Sequence, residues 1–525
     1  MRLRHGGLLG AAAALCAALA TLFASSASAY VPPPEEDPFY RYEGTTPLAQ
    51  IPPGTVLKSR EFSGYHIAGV TTPFRVVQIL YRTLGELEEP QVNVTTVLIP
   101  PIIAPGHPVV SYQSFYDSLN PREDPSYQIA LEASEGSTLK TPSAEQVFIA
   151  PYLLAGDTVV VSDIEGEEAD FAAGPLYGFN TIFGLQAALN DGSQTGLSET
   201  NKIALIGYSG GAIGTGWAVE LAPAYAPAVN ARLVGASFGG ILVDPIHNLH
   251  YMEGSEEWSG VVPMGLIGLS RAFHVNPYPY LNPYGVELFN RLQKAGIGEA
   301  EGHYPGLTWS QFAKRRYPAI EYVPKLVEIA NQLIMGTRGT PTVPLLMVQG
   351  AGGEQEGTPG YKPGIGPGDG VMIAGDVRTL AREYCERGVK VTYREHEKLD
   401  HVETGVVWAV ETLPWVQARF LGLPAGEDCS EIPPGNSLAP AQPLSLEEEP
   451  PAGSGSQAAA SGGKQSADPA VRTDKAGAGR GKAGKRAKHA ARRATHRRHA
   501  RRRHRERLAV KRGRSRAGAL RARRR

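Results

Sequence analysis

Two serines of the chain occur in the pattern Gly-x-Ser-x-Gly, in which a serine hydroxyl can act as a nucleophile. Ser209 lies in the stretch IALIGYSGGAIGTG, and Ser237 lies in LVGASFGGILVD. A nucleophilic serine of this type stands on a sharp turn between a buried strand and a helix that follows it directly. The short pattern also occurs by chance, so the neighbouring elements must decide between the two serines.

The neighbouring elements favour Ser209. The apolar run KIALI before it predicts a buried strand, and AIGTGWAVELAPAYAP after it predicts a helix of small residues. Ser237 also follows a predicted strand, but GGILVDP after it is rich in strand-forming residues and meets Pro245 before a helix has room to start. We predict that Ser209 is the nucleophile and that Ser237 is a small residue packed in the next strand of the same sheet.

A nucleophilic serine requires a base, and the base is oriented in turn by an acid. In chains with this serine turn, the order along the sequence is serine, acid, histidine. His401 lies in EKLDHVETG, just after the predicted strand VKVTYREH, where the base is expected. His396 lies at the end of that strand, and we interpret it as a strand histidine that faces solvent or the core.

The acid should lie in the loop after the buried strand LLMVQG, and residue types alone leave its identity open. For the oxyanion of an ester intermediate, one donor should be the amide of Gly210, and another should come from the segment after the strand PVVSYQ. The acidic residues of the glycine- and proline-rich loop are Glu354, Glu356, Asp369 and Asp376.

The elements that must position these residues alternate between short apolar runs and longer periodic segments. This alternation, between residues 40 and 430, predicts an α/β fold with a mainly parallel sheet flanked by helices. Between residues 241 and 338, the distance from one strand to the next is too long for a single crossover. We interpret residues 241–338 as an inserted cap or lid over an apolar substrate, because VVPMGLIGLSRAF and PYPYLNPYG are apolar and aromatic. A helical subdomain without substrate contact is the alternative. The predicted strands are TTVLIPP, GHPVVSYQ, DTVVVSD, KIALIG, ARLVGASF, PTVPLLMVQG and VKVTYREH.

Several segments, taken together, resemble the secretory lipase family, the α/β-hydrolases typified by lipase A of a Candida yeast and found in actinobacteria. The resemblance covers residues 40–430 and implies an α/β-hydrolase fold, with its core at residues 30–240 and 339–430. It also implies activity on lipid esters. The segments that carry it are GYSGG, SYQSFYDSLNP, DPSY, DGVMIAGDV, YREH and KLDH, with the pair Cys385 and Cys429.

The resemblance also assigns two residues that the pattern of the sequence leaves open. The acid segment of the family, Asp-x-Val-x-x, matches DGVMI and implies Asp369 as the acid. Residues 353–367 look like an insertion before this segment, so Glu354 is the second candidate. The family's aspartate beside the oxyanion hole matches Asp117, for which a helix N-cap is the alternative role.

The beginning of the chain predicts export. Residues 1–29 combine a basic start, a short apolar run and the sequence Ala27-Ser28-Ala29, which is typical of a signal peptide cleaved after Ala29. An uncleaved membrane anchor is the alternative, but the apolar run is short for a span. We expect a secreted or envelope-associated protein without a transmembrane span in its mature chain. Its remaining cysteines, Cys385 and Cys429, most simply form one disulfide, and two separate thiols are the alternative.

The end of the chain carries a strong positive charge, although the formal net charge of the whole is zero. Residues 464–525 contain 25 Lys and Arg against 3 Asp and Glu, a charge near +22, which leaves the rest near −22. We predict a disordered basic tail there, joined through a Pro/Gly/Ser linker at residues 431–463. Such a tail would bind a polyanion by counterion release, either nucleic acid without sequence specificity or an anionic envelope polymer or lipid surface, or it would fold back on the acidic body.

The sequence predicts a secreted serine carboxylester hydrolase of lipase type, which cleaves acylglycerols or other lipid esters through an acyl-enzyme. An acyltransferase with the same triad and a surface-binding protein that functions through its tail are the alternatives. We expect no bound nucleotide, because GGAIGTG lacks the spacing of phosphate-binding loops. We also expect no other cofactor and no specific nucleic acid partner. Asp244, His247 and His250 could be drawn as metal ligands, but no cysteine and no pattern of supporting residues around them indicates a metal site.

Overall fold

The computed structural model of the protein describes residues 31–67, 70–133 and 145–446. The predicted signal peptide, residues 447–463 of the predicted linker and the predicted basic tail lie outside these residues. Within the described ranges, no helix is long and apolar enough to cross a membrane.

One sheet holds the nine strands found in the described residues, in the order β1-β2-β3-β5-β4-β6-β7-β8-β9. The strands are β1 (Val56–Ile67), β2 (Val70–Leu84), β3 (Pro90–Ile99), β4 (Val109–Gln113), β5 (Thr158–Ser162), β6 (Ile203–Tyr208), β7 (Leu233–Gly239), β8 (Leu345–Gly350) and β9 (Val391–His396).

The sheet is mainly parallel with an antiparallel edge. Strands β1, β2, β3 and β5 pair antiparallel in succession, whereas the pairs from β5 through β4 to β9 are parallel. The predicted α/β fold is confirmed, and all the predicted strands are present. The hairpin of β1 and β2 is not among the predicted strands. Charged residues such as Lys58, Arg60 and Glu61 interrupt the apolar pattern at this sheet edge.

Helices cover both faces of the sheet. The helices are α1 (Pro125–Ala133), α2 (Gln146–Ala155), α3 (Gly174–Asn190), α4 (Gly192–Thr195), α5 (Gly210–Tyr225), α6 (Pro227–Asn230), α7 (Pro245–Met252), α8 (Val261–Ala272), α9 (Pro283–Leu292), α10 (Ile297–Ala300), α11 (Trp309–Phe312), α12 (Pro324–Gln332), α13 (Ala374–Glu386) and α14 (His401–Phe420).

The core lies in two layers, one on each face of the sheet. Helices α3, α5 and α13 pack on one face, and α1, α2 and α14 pack on the other. Every residue of β4, β5, β6 and β8 is buried between these layers. Because both faces are covered, these strands are mainly apolar and do not alternate buried apolar residues with exposed polar ones.

Residues 241–338 connect β7 to β8 and contain helices α7 to α12 and no strand. Many of their apolar side chains join the core layer that also holds α3, α5 and α13. The segment is therefore a helical insertion between two neighbouring parallel strands, on the same side of the sheet as the helix that follows Ser209.

Residues 431–446 pack on the folded body, so the prediction of a linker that begins at residue 431 is wrong for this part. Asn331 of α12 exchanges two hydrogen bonds of 2.9 Å with the backbone of Ala441. The amide of Leu444 donates to the carbonyl of Glu321 at 2.9 Å. Composition misleads here because proline-rich extended chain lacks regular backbone hydrogen bonds, and groups on neighbouring helices supply them instead.

The two cysteines of the described residues are bonded to each other. Cys385 lies in the last turn of α13, and Cys429 lies after α14. The disulfide therefore joins the helix between β8 and β9 to the segment that leads into residues 431–446.

Several carboxyl groups are buried in the core. Burial raises the pKa of Glu86 to about 8, and it raises the pKa of Asp163 and of Glu220 to about 7. One oxygen of Glu86 accepts from the amide of Leu176 at 2.9 Å, and the other has no hydrogen-bond partner in the described part of the chain. These groups hold protons in the folded protein at pH values where the unfolded chain has released them. The free energy of unfolding therefore falls as the pH rises from the unfolded pKa towards the folded one.

We expect the urea midpoint of unfolding to decrease between about pH 5 and about pH 8. Glu86→Gln keeps an acceptor for the Leu176 amide and cannot ionise, so it should remove a slope of up to about 1.4 kcal/mol per pH unit. Urea titrations of the natural protein, of Glu86→Gln and of Glu199→Gln, an exposed control, measure this difference. The same pH dependence in all three proteins would contradict a buried, neutral Glu86.

Candidate active site

Ser209 lies in the turn between β6 and α5. Strand β6 ends at Tyr208 and α5 begins at Gly210, so Ser209 alone joins the two elements, with a φ of 57° and a ψ of −121°. A positive φ is costly for a residue with a side chain, and the surrounding structure must hold it. The amide of Ser209 donates to the carbonyl of Gly239 in β7 at 2.9 Å, which ties the turn to the neighbouring strand.

Two glycines allow this turn to be tight. A Cβ atom at Gly207 would lie 2.1 Å from the carbonyl oxygen of Gly211. A Cβ atom at Gly211 would lie 2.1 Å from the carbonyl oxygen of Gln113, at the end of β4. The two glycines of the Gly-x-Ser-x-Gly pattern are therefore required by the close approach of three backbone segments.

His401 joins the predicted nucleophile to the predicted acid. Its Nε2 lies 2.8 Å from the hydroxyl oxygen of Ser209, and its Nδ1 lies 2.8 Å from a carboxylate oxygen of Asp369. A proton on Nδ1 that is donated to Asp369 leaves Nε2 free to accept the proton of the serine hydroxyl. Burial alone would lower the pKa of His401, but the charge and hydrogen bond of Asp369 outweigh it and raise the pKa above its ordinary value.

Asp369 is the only one of the four loop acids that hydrogen-bonds His401. It is buried, and its carboxylate also accepts hydrogen bonds from the side chain of Gln349 and from the amides of Val371 and Met372. Glu354, the second candidate, is exposed on a 3-10 helix. Of the other two acids, Glu356 accepts from an indole and Asp376 contacts His247.

The alternative serine and histidine lie away from this arrangement. Ser237 is buried in β7, where it hydrogen-bonds the hydroxyl of Thr412 at 2.7 Å and accepts from the indole of Trp408 at 3.1 Å. His396 ends β9, and its Nε2 lies 3.4 Å from a carboxylate oxygen of Glu411. Neither side chain hydrogen-bonds a member of the Ser209 arrangement.

Asp117 and Gly210 lie side by side next to the serine. A Cβ atom at Gly210 would lie 1.7 Å from Oδ1 of Asp117, so the aspartate side chain packs directly on the first residue of α5. This Oδ1 is buried and has no hydrogen-bond partner among the described residues, and burial raises the pKa of Asp117 to about 8. The helix N-cap role is wrong for Asp117, because the next helical turn begins at Pro121 and is capped by Asn120.

An apolar cavity of about 110 Å³ opens beside Ser209, Gly210 and Asp117. The inserted residues 241–338 supply most of its wall, and the rest comes from the serine turn and from loops beside it. Side chains that line it include Leu249, Met252, Val262, Leu266, Leu326 and Ile329.

The three residues considered as metal ligands have other partners. The Asp244 side chain caps the start of α7, His247 lies 3.1 Å from the carboxylate of Asp376, and His250 lies 2.6 Å from that of Glu321. In the ranges that the structure describes, no group of three or more His, Cys, Asp or Glu side chains is placed to hold a metal ion.

A parallel sheet with a serine turn between a buried strand and a helix, followed in the chain by an acid and then a histidine, defines the α/β-hydrolase class. The finer assignment comes from sequence. Residues 130–428 match the secretory lipase family, and the chain belongs to that family. It is therefore a lipase-type ester hydrolase by descent.

Relatives and solved structures of this family cover most of the chain. A protein of Mycobacterium tuberculosis, named a probable inactive lipase, is 30% identical over 74% of this chain and 83% of its own length. Lipase 10 of Candida albicans is 29% identical over 80% of this chain and 88% of its own length. The crystal structure of Candida antarctica lipase A in its closed state matches 78% of this chain and 91% of its own, with a TM-score of 0.65 and 25% identity.

One residue that contacts the site is not singled out by the sequence, and a second is named there only as a candidate acid. Trp258 lies in the inserted segment and packs against His401, and its indole is held by Glu356. Glu356 stands among the four candidate acids, but EGSEEWSG around Trp258 has no periodicity or motif. Only the tertiary fold brings the two together.

Proposed function

We propose that this protein is a secreted serine carboxylester hydrolase that cleaves lipid esters through an acyl-enzyme. The observation that carries the proposal is the pair of 2.8 Å contacts that link Ser209, His401 and Asp369 beside an apolar cavity. Nucleophile, base and orienting acid are within hydrogen-bond reach in the order that acyl transfer requires. The cavity offers an apolar acyl chain a wall of aliphatic side chains, and we assign the inserted residues 241–338 the role of a cap over it.

In the first half of the reaction, the hydroxyl oxygen of Ser209 attacks the ester carbonyl as its proton passes to Nε2 of His401. Asp369 stabilises the imidazolium that forms. The proton then passes from His401 to the leaving alcohol, and the acyl group remains on Ser209. In the second half, a water molecule attacks the acyl-enzyme, gives its proton to His401, and the acid leaves as Ser209 regains the proton.

The oxyanion of each intermediate forms next to Gly210 and Asp117. The amide of Gly210 is at the first position of α5, where helix geometry supplies no acceptor, so it is available to the oxyanion. A neutral Asp117 carboxyl adds a second donor, whereas an ionised one would repel the oxyanion. The neutral form is present below the raised pKa of about 8.

One relative, from Mycobacterium tuberculosis, is named a probable inactive lipase, so the proposal does not rest on family membership alone. Here the support is local, because the nucleophile, the base and the acid are all present and in contact. The same geometry serves an acyltransferase, which differs only in the acceptor that removes the acyl group.

Hydrolysis of p-nitrophenyl esters of increasing chain length tests the proposal. Ser209→Ala should lower kcat by on the order of 10⁴-fold or more, because the nucleophile is lost. Ser237→Ala, the matched control, should leave most activity. Rates should rise with acyl length as the chain fills the cavity.

Added alcohol distinguishes the hydrolase from the acyltransferase. A hydrolase releases mainly free acid, and predominance of the new ester would favour the transferase. Full activity of Ser209→Ala would refute the serine mechanism. Absence of activity in the natural protein on all esters would favour a binding function.

The role of Asp117 predicts a particular loss of activity at alkaline pH. As the pH rises through about 8, Asp117 releases its proton, the second donor disappears, and kcat/KM should fall. Asp117→Asn keeps a donor at every pH and should remove this alkaline limb, whereas Asp117→Ala should lower kcat by about 10²- to 10³-fold. Steady-state pH profiles of the three proteins check this, and an alkaline limb retained in Asp117→Asn would contradict it.

We also propose that residues 464–525, with a charge near +22, attach the enzyme to an anionic envelope polymer or lipid surface. A protein truncated after Leu446 keeps every residue of the site and should retain its turnover on soluble esters. The full chain should be retained on an anionic matrix, and retention should weaken steeply with salt. Equal, salt-independent retention of both proteins would remove this role, and lost turnover on truncation would give the tail a part in the fold.

A further inference from the structure

Trp258 contacts both His401 and the acyl cavity. Its ring centroid lies 5.4 Å from that of His401, and the two planes meet at 78°, an edge-to-face contact. The indole is 6% exposed and forms part of the cavity wall. A change in the position of this ring would therefore alter the orientation of the imidazole and the shape of the cavity together.

Glu356 holds this indole. Its Oε2 accepts the hydrogen bond of the Trp258 indole N–H at 2.6 Å. Glu356 ends a 3-10 helix, Gly353–Glu356, which lies in the same loop as Asp369. The loop after β8 thus supplies one carboxylate that contacts His401 directly and a second that reaches it through an aromatic ring.

The second carboxylate is packed onto the turn that carries the first. A Cβ atom at Gly370, the residue after Asp369, would lie 2.3 Å from Oε2 of Glu356, and the φ of Gly370 is 126°, a value that favours glycine. The hydroxyl of Thr358 donates to the carbonyl of Gly370 at 2.8 Å. These contacts hold Glu356 at a defined position against the turn of Asp369. Its carboxyl group therefore has a fixed position relative to His401.

The charges around His401 and Glu356 act on each other. Burial raises the pKa of Glu356 to about 7, while the Trp258 hydrogen bond and the charge of His401 lower it and the carboxylates of Asp400 and Asp369 raise it. The charges of Asp369 and Glu356 raise the pKa of His401, and the charge of Asp117 raises it only where that carboxyl is ionised. The remaining groups that face His401 are the carboxyl of Glu301 and the ring of Tyr208, whose centroid lies 5.1 Å away.

We propose that Glu356 is a positioning residue for His401, which acts by holding Trp258 against the imidazole and by adding a second negative charge that stabilises the imidazolium. The inference rests on the proposed function, since an imidazolium at His401 forms in both halves of that reaction. A purely structural Glu356 would only satisfy the buried indole N–H. The two roles differ in whether the charge of Glu356, as distinct from its acceptor oxygen, affects the reaction.

Glu356→Gln separates charge from hydrogen bonding, because the amide oxygen still accepts from the indole. Without the negative charge the pKa of His401 falls, so the acidic limb of kcat/KM should move to lower pH by roughly 0.5 to 1 unit. The plateau value of kcat should fall several-fold, and KM should stay unchanged because Trp258 keeps its place. Glu354→Gln, on the same 3-10 helix but exposed, is the matched control and should coincide with the natural protein.

Glu356→Ala removes both charge and acceptor. Glu356→Ala should shift the acidic limb of kcat/KM as Glu356→Gln does, and it should also raise KM for long-chain esters. Glu356→Gln, which keeps the acceptor, should not raise KM. Trp258→Phe keeps an aromatic ring but deprives the carboxylate of its donor, so it should shift the acidic limb in the same direction. This variant tests the inference independently if Glu356→Gln does not fold, which circular dichroism and Tm establish.

Ser209→Ala, measured beside these variants, distinguishes the possible failures. If Ser209→Ala is inactive and the profile of Glu356→Gln coincides with that of Glu354→Gln, the positioning role is wrong and the proposed hydrolase stands. If Ser209→Ala retains full activity, the proposed function fails, and the role of Glu356 fails with it.

Discussion

The turn at Ser209 is the constraint to which the rest of the site conforms. A serine at positive φ costs on the order of 1 to 3 kcal/mol and persists only where neighbouring segments hold it. Here β4 and β7 lie on either side of β6, and the backbone of Gln113 approaches Gly211 too closely for any Cβ atom. Because these strands and β8 and β9 run parallel, their carboxyl ends meet at one edge, where Asp117, Asp369 and His401 follow them in the chain.

Three carboxyl groups near His401 differ in their surroundings, and the differences separate their chemistry. Asp369 accepts from two backbone amides and a glutamine amide as well as from His401. Asp117 has a buried oxygen without a donor in the described residues, and burial raises its pKa to about 8. Glu356 accepts one indole hydrogen bond, and burial raises its pKa to about 7. Burial favours the neutral form of Asp117 and of Glu356, and Asp369 is the carboxyl with the most hydrogen-bond donors around it.

The sequence predicts the parts of this arrangement that depend on local pattern. Ser209 is distinguished from Ser237 by the helix that must follow, and the structure has α5 after the former and none directly after the latter. In the sequence, only the family resemblance distinguishes Asp369 from the other acids of its loop. In the structure, Gln349 and two backbone amides hold its carboxyl group in place, and no residue spacing indicates these contacts. The contact of Trp258 with Glu356 and the packing of residues 431–446 also join segments far apart in sequence. Composition and periodicity carry no information about such pairs.

The inserted residues 241–338 complete the site rather than only cover it. The amide of Ile297 in the insertion donates to the carbonyl of Asp117 at 2.8 Å, and the amide of Leu119 donates to the carbonyl of Ala295 at 2.9 Å. Asp117 itself has a φ of 38°, so its strained backbone is held by the same segment that contributes the cavity wall. The cavity wall and Asp117 are thus parts of one hydrogen-bonded unit. A displacement of the insertion would change both, so under the proposed function the fit of an acyl chain would be coupled to the position of Asp117.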